Sequence, residues 1–95
     1  MVVGVLRVTL IMHDNDSLKG KRQILKGIID KVKNRFNVSI SEVGDNDLWQ
    51  RAEIALSAVG GDRAVVNSVM DRAVDFIEGL NAAEVLDHEI ELINC

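Results

Sequence analysis

Apolar residues recur along the chain with two different periods, and the switches between them mark six elements. From Val2 to Met12 the chain is rich in β-branched residues. Alternation there sets Leu6, Val8, Leu10 and Met12 on one side and Val5, Arg7, Thr9 and Ile11 on the other, which predicts a strand. The polar cluster His13-Asp14-Asn15-Asp16-Ser17 stops it, and from Leu18 the period becomes helical. Leu18, Leu25, Ile28, Ile29, Val32 and Phe36 fall within one arc when advanced at about 100° per residue, with Asp16 or Ser17 as the N-cap. Asn34 and Asn37 punctuate the end of that helix. Val38 and Ile40 then alternate with Ser39 and Ser41 as a second strand, and Gly44-Asp45-Asn46-Asp47 is turn chemistry. A third strand is expected from about Trp49 to Val59, with Ala52, Ile54, Leu56 and Ala58 facing one way and Arg51, Glu53, Ala55 and Ser57 the other. Gly60-Gly61 breaks it. Asp62 caps a second amphipathic helix, in which Val65, Val66, Val69, Met70, Ala73, Phe76 and Ile77 recur up to Gly79. From Glu84 to Ile93, Leu86, His88, Ile90 and Leu92 alternate with Asp87, Glu89 and Glu91, which predicts a fourth, half-buried strand whose His88 is a core histidine.

The order βαββαβ predicts an α+β domain of the ferredoxin-like type: a four-stranded antiparallel sheet with two helices on one face and strand order 4-1-3-2. A length of 95 residues supports one hydrophobic core, so residues 1–95 are read as a single domain. Interspersed apolar (47%) and charged (27%) residues exclude a disordered chain, and no proline or low-complexity tract marks a linker. Arg7 interrupts the apolar run at the start, no basic region precedes it, and no stretch reaches the length of a membrane span. A cytoplasmic protein without a membrane partner is therefore expected. The single cysteine, Cys95, has no partner for a disulfide or a thiolate metal cage.

Charge changes this picture more than composition does. Seven of the eleven Lys and Arg residues (Lys19, Lys21, Arg22, Lys26, Lys31, Lys33 and Arg35) lie between residues 19 and 35, where Asp30 is the sole acid. That segment carries +6 in a chain of net charge -4, leaving -10 on the remainder. Arg22, Lys33, Lys26 and Lys19 stand at about 60°, 80°, 100° and 120° from the apolar centre of the first helix, a stripe along one exposed flank suited to a phosphate backbone. Three cations in the first turns also run against the helix dipole and call for an anion. That anion is either a phosphate of RNA or the protein's own Asp14, Asp16 or Glu42, and the local excess of acids favours the second.

Three blocks carry a family resemblance: Ser17-Leu18-Lys19-Gly20-Lys21-Arg22, then Phe36-Asn37-Val38-Ser39 with Glu42-Val43, then Asp47-Leu48-Trp49-Gln50-Arg51. Together they resemble the YlxP-like family of small bacterial proteins. The resemblance implies a ferredoxin-like fold and supplies no activity, substrate or catalytic residue. The family's genes neighbour those of translation initiation and ribosome maturation factors, which implies a connection with RNA or the ribosome by association.

The chemistry-bearing residues point to binding rather than catalysis. His13 with Asp14 and Asp16, facing Asp45 and Asp47, matches neither an EF-hand loop nor a zinc site. Ser17 is better employed as a helix cap than as a nucleophile beside His13, and Gly60-Gly61 lacks any phosphate-loop signature. No catalytic residue, metal or cofactor is expected. The candidate RNA or anion contacts are Lys19, Lys21, Arg22, Lys26 and Lys33. Ser17, Glu42, Trp49, Gln50 and Arg51 form a candidate structural or partner cluster, because the topology brings all three blocks to one end of the sheet. Trp49, the lone tryptophan, is expected to cap the end of the core, with a partner-binding anchor as the alternative. The function predicted is a non-enzymatic module that binds RNA or the ribosome through the basic helix flank. The alternative is an interaction or self-assembly module that pairs two copies through the open sheet face.

Overall fold

A computed structural model describes all residues from Met1 to Cys95. The elements are β1 (Val2–Ile11), α1 (Leu18–Arg35), β2 (Ser39–Gly44), β3 (Arg51–Gly60), α2 (Arg63–Leu80) and β4 (Glu84–Asn94). The strands form one antiparallel sheet in the order β2-β3-β1-β4, which is the predicted ferredoxin-like arrangement. Leu6, Val8 and Leu10 of β1 and Ala52, Ile54 and Leu56 of β3 are buried against Leu25, Ile28 and Val32 of α1 and Met70, Ala73 and Ile77 of α2. The core is thus a single layer of side chains between helices and sheet, built almost entirely from aliphatic residues. Phe36 and Phe76 meet edge-on where the two helices touch, with ring centroids 5.6 Å apart.

Each helix begins where its cap is. Ser17 Oγ accepts from the amide of Gly20 at 3.0 Å, and Asp62 Oδ1 accepts from the amides of Ala64 and Val65. Asn81 ends α2 in the left-handed conformation at φ 54°.

Three expectations are corrected by the fold. β4 carries an irregularity opposite Thr9 and Leu10: Thr9 pairs with Asp87 but Leu10 with Val85, so Val85 turns inward in place of Leu86. Leu86, predicted to be inward, is 53% exposed. His88 keeps its register opposite Val8 yet is exposed rather than a core histidine, because β4 is the outer strand of the sheet. Val65 lies one residue off the buried arc of α2 that runs through Val66, Met70, Ala73, Val74 and Ile77, and it faces solvent.

Candidate functional site

The three sequence blocks do meet at one end of the sheet, and a single side chain fastens them. Lys21 is 2% exposed, within the buried face of α1 beside Leu25, Ile28 and Val32. An ammonium taken out of water needs acceptors. Lys21 Nζ donates to the carbonyls of Asp45 at 2.5 Å and Leu48 at 2.7 Å, and lies 3.1 Å from Glu42 Oε2. That carboxylate oxygen is buried and lacks an aligned hydrogen bond, so the Glu42 contact is mainly one of charge. The first turn of α1 is thereby tied to the end of β2 and to the β2–β3 turn.

A second set of bonds closes the bracket. Asn15 Nδ2 donates to the carbonyls of Ser17 and Trp49, at 2.7 Å and 2.5 Å. The Met12 amide donates to the Gln50 carbonyl at 2.8 Å, and Gln50 Nε2 donates to the Asn15 carbonyl at 3.1 Å. Asp45 adopts φ 60° and its carboxylate accepts from Arg51 Nε at 2.9 Å. Left-handed backbone suits an Asp whose side chain and carbonyl are both held in place. Of the predicted structural or partner cluster, Ser17, Glu42, Gln50 and Arg51 are therefore engaged inside the protein.

The candidate anion contacts separate into three kinds. Lys21 is corrected: its ammonium is enclosed and satisfied by the protein's own oxygens, Glu42 among them, so it is withdrawn from the set that meets an external anion. Lys26 is exposed but donates to Asp30 Oδ2 at 2.7 Å, and that hydrogen bond, reinforced by the carboxylate charge, raises its pKa. Lys19, Arg22 and Lys33 are exposed and have no carboxylate partner. On the other flank of α1, Arg35 lies 5.5 Å from the centre of the Phe76 ring, so the stripe of Arg22, Lys33, Lys26 and Lys19 is turned away from α2.

Trp49 does not cap the core. Trp49 is 54% exposed beside the exposed Leu48, although its backbone is bonded into the bracket. With Leu48, Gln50 and Arg51 it lines a shallow pocket of about 320 Å³. A larger open hollow of about 780 Å³ lies between the β1–α1 loop and the α2–β4 turn. His13 bonds to Glu84 there, joining the end of β1 to the start of β4. Sequence reasoning missed Asn15 and Leu48. Asn15 is identified by nothing short of the folded loop, since its partners are backbone carbonyls. For Lys21 the signal is its helical phase: it stands at i, i+4, i+7 and i+11 with Leu25, Ile28 and Val32.

These features define the class: a small ferredoxin-like α+β domain with a polar bracket at one end and a cationic flank on its first helix. The chain belongs to the family described as protein of unknown function DUF503, whose pattern matches residues 3–90. It is 39% identical over 83 residues to the uncharacterized protein YlxP of Bacillus subtilis (strain 168), covering 87% of this chain and 90% of that protein. The resemblance carried by the three blocks is therefore borne out. Among solved structures, an antibiotic biosynthesis monooxygenase is similar with a TM-score of 0.52 at 14% identity, over 100% of this chain and 98% of that one. The de novo designed protein Foldit4 is similar with a TM-score of 0.52 at 16% identity, over 99% and 97%. At such identities the likeness is one of fold. No helix is long and apolar enough to cross a membrane.

Proposed function

We infer that this domain is a non-enzymatic binding module for RNA, holding phosphates along the outer flank of α1. The observation that carries the reading is the set Lys19, Arg22 and Lys33, spread over about 21 Å of helix and left without carboxylate partners in a chain of net charge -4. A protein this acidic has anions enough to neutralise three surface cations. Its arginine and lysine ion pairs instead join Arg7 to Glu53, Arg51 to Asp45 and Lys21 to Glu42, and within the stripe only Lys26 is paired, with Asp30. The translation context implied by the family resemblance agrees with RNA as the polyanion. The sheet face is unsuited to the task, because Asp87, Glu89 and Glu91 stand where a base-stacking sheet needs aromatics.

Anisotropy of a labelled single-stranded RNA tests this. Three phosphate contacts should weaken binding about 20-fold between about 50 and 200 mM salt, and a Lys19→Ala, Arg22→Ala, Lys33→Ala triple variant should abolish it. Absence of binding at the lower salt, or a triple variant that binds like the parent, rejects the reading.

A second reading, self-association through the open sheet face, has one observation in its favour. Val59, Val3 and Ile93 align across three strands as an apolar row, with Val59 and Ile93 exposed. A monomer by light scattering across a concentration series, at both low and high salt, would remove it.

A further inference from the structure

We propose that Trp49 is a stacking platform for one unpaired base of the bound strand, and that the pocket it shares with Arg51 receives that nucleotide. This rests on the RNA reading above and extends it from the phosphate backbone to a base.

Three observations on the turn before β3 converge. The first is the exposure of the indole. A tryptophan is the largest apolar side chain available, and this chain has only Phe36 and Phe76 as further aromatics, both spent on the contact between helices. Trp49 could close the end of the core, yet more than half of it faces solvent.

The second is that its backbone is not loose. Three consecutive carbonyls are each taken by a donor from elsewhere in the fold: Leu48 by Lys21 Nζ, Trp49 by Asn15 Nδ2 and Gln50 by the Met12 amide. An indole that is exposed merely because its loop is free would lack these anchors. Here the surrounding chain is pinned so that the ring projects from it.

The third is the chemistry of the pocket. At about 320 Å³ it sits at the small end of ligand sites and suits one flat ring. Leu48 and the indole give it an apolar surface, and the neighbouring Arg51 adds a guanidinium. Asp45 takes the Nε–H of Arg51, and the protein offers no acceptor to its terminal amino groups, which leaves them for a phosphate oxygen. An aromatic face next to an arginine matches a nucleotide: the ring stacks and the anion is met by charge. The cation stripe of α1 ends at Lys19, in the helix turn from which Lys21 reaches the Leu48 carbonyl, so one strand following the flank arrives at this pocket. A protein partner would be served by Leu48 and Trp49 but would leave the cation stripe unused.

Because Trp49 is the sole tryptophan, intrinsic fluorescence reads this site alone. Titration with a single-stranded adenylate 12-mer should quench it, whereas inorganic polyphosphate, which carries charge without bases, should compete for the flank and leave the emission unchanged. Trp49→Ala should weaken the 12-mer by about five- to tenfold in the anisotropy assay, and Trp49→Phe by less, since a smaller ring still stacks. RNA that binds the parent without quenching, and binds Trp49→Ala within twofold of it, overturns the platform while the flank reading stands. Quenching by polyphosphate equal to that by RNA also overturns it. No RNA binding at low salt removes both. A circular dichroism melt of each variant confirms that the comparison is between folded proteins.

Discussion

Lys21 is the residue on which one end of the molecule depends. Its stem lies in the apolar face of α1 and its ammonium sits among the carbonyls of Asp45 and Leu48 and the carboxylate of Glu42. Lys21→Met keeps the volume and removes the charge, leaving a largely buried carboxylate and the Leu48 carbonyl without a partner, while the Asp45 carbonyl keeps the Leu48 amide. It should cost about 3 kcal/mol in urea denaturation, and Lys21→Met with Glu42→Leu should recover most of that loss, because the orphaned anion goes too. A single variant within experimental error of the parent would show that the bracket contributes nothing to stability. The sequence contained the information needed to place this side chain, since its phase on the helix is that of Leu25, Ile28 and Val32. Pairing with the protein's own Glu42 is the alternative favoured by the local excess of acids, whereas burial of the ammonium runs against the usual exposure of lysine. For Trp49 the same bias ran the other way. A lone indole beside a turn is ordinarily core, and what keeps it out is a set of backbone bonds to Asn15, Lys21 and Met12 that no periodicity encodes.

At the scale of elements, patterning located all six, and its errors fall where a side chain or an extra residue breaks the period. β4 is the instructive case. Its alternation predicts Leu86 and His88 inward, and one inserted position near Thr9 sets Val85 against the core and Leu86 out in solvent. Period-two reasoning has no means of registering such a shift, because the residues on either side of it still alternate. The start of α1 offers a test of the opposite kind. Gly20 is the third residue after the N-cap, and a β-carbon there would lie 2.2 Å from Asn15 Oδ1, whereas one at Gly27 would meet nothing within 4 Å. Both substitutions gain the helix preference of alanine. Gly27→Ala should therefore stabilise by about 1 kcal/mol, while Gly20→Ala should destabilise by about 1 kcal/mol as Asn15 is pushed from the Ser17 and Trp49 carbonyls. Thermal melts of the two single variants check the sign. Equal stabilisation by both would mean that Asn15 gives way without loss.

The whole molecule separates its charges. Most cations without carboxylate partners lie along α1, with Arg63 and Arg72 on α2, while the open face of the sheet places Glu53, Glu84, Asp87, Glu89 and Glu91 against Arg7 and Arg51. With five acids against two arginines that face is net negative, so two copies brought together through it repel on balance. Salt therefore acts with opposite signs on the two readings: it weakens an RNA complex held by phosphate contacts and strengthens any pairing of sheet faces. Sedimentation velocity with and without RNA, at low and high ionic strength, distinguishes them, and an RNA complex that grows tighter with added salt would contradict the charge separation as the driving force.

The bond from Lys21 to the Leu48 carbonyl has one more consequence, which concerns freedom rather than charge. A turn that is already immobilised loses little conformational entropy when something settles on it, so whatever meets the indole keeps most of the interaction energy as affinity. In this domain the interior sets the aim of the surface: an ammonium almost wholly out of solvent holds the turn that carries an exposed ring.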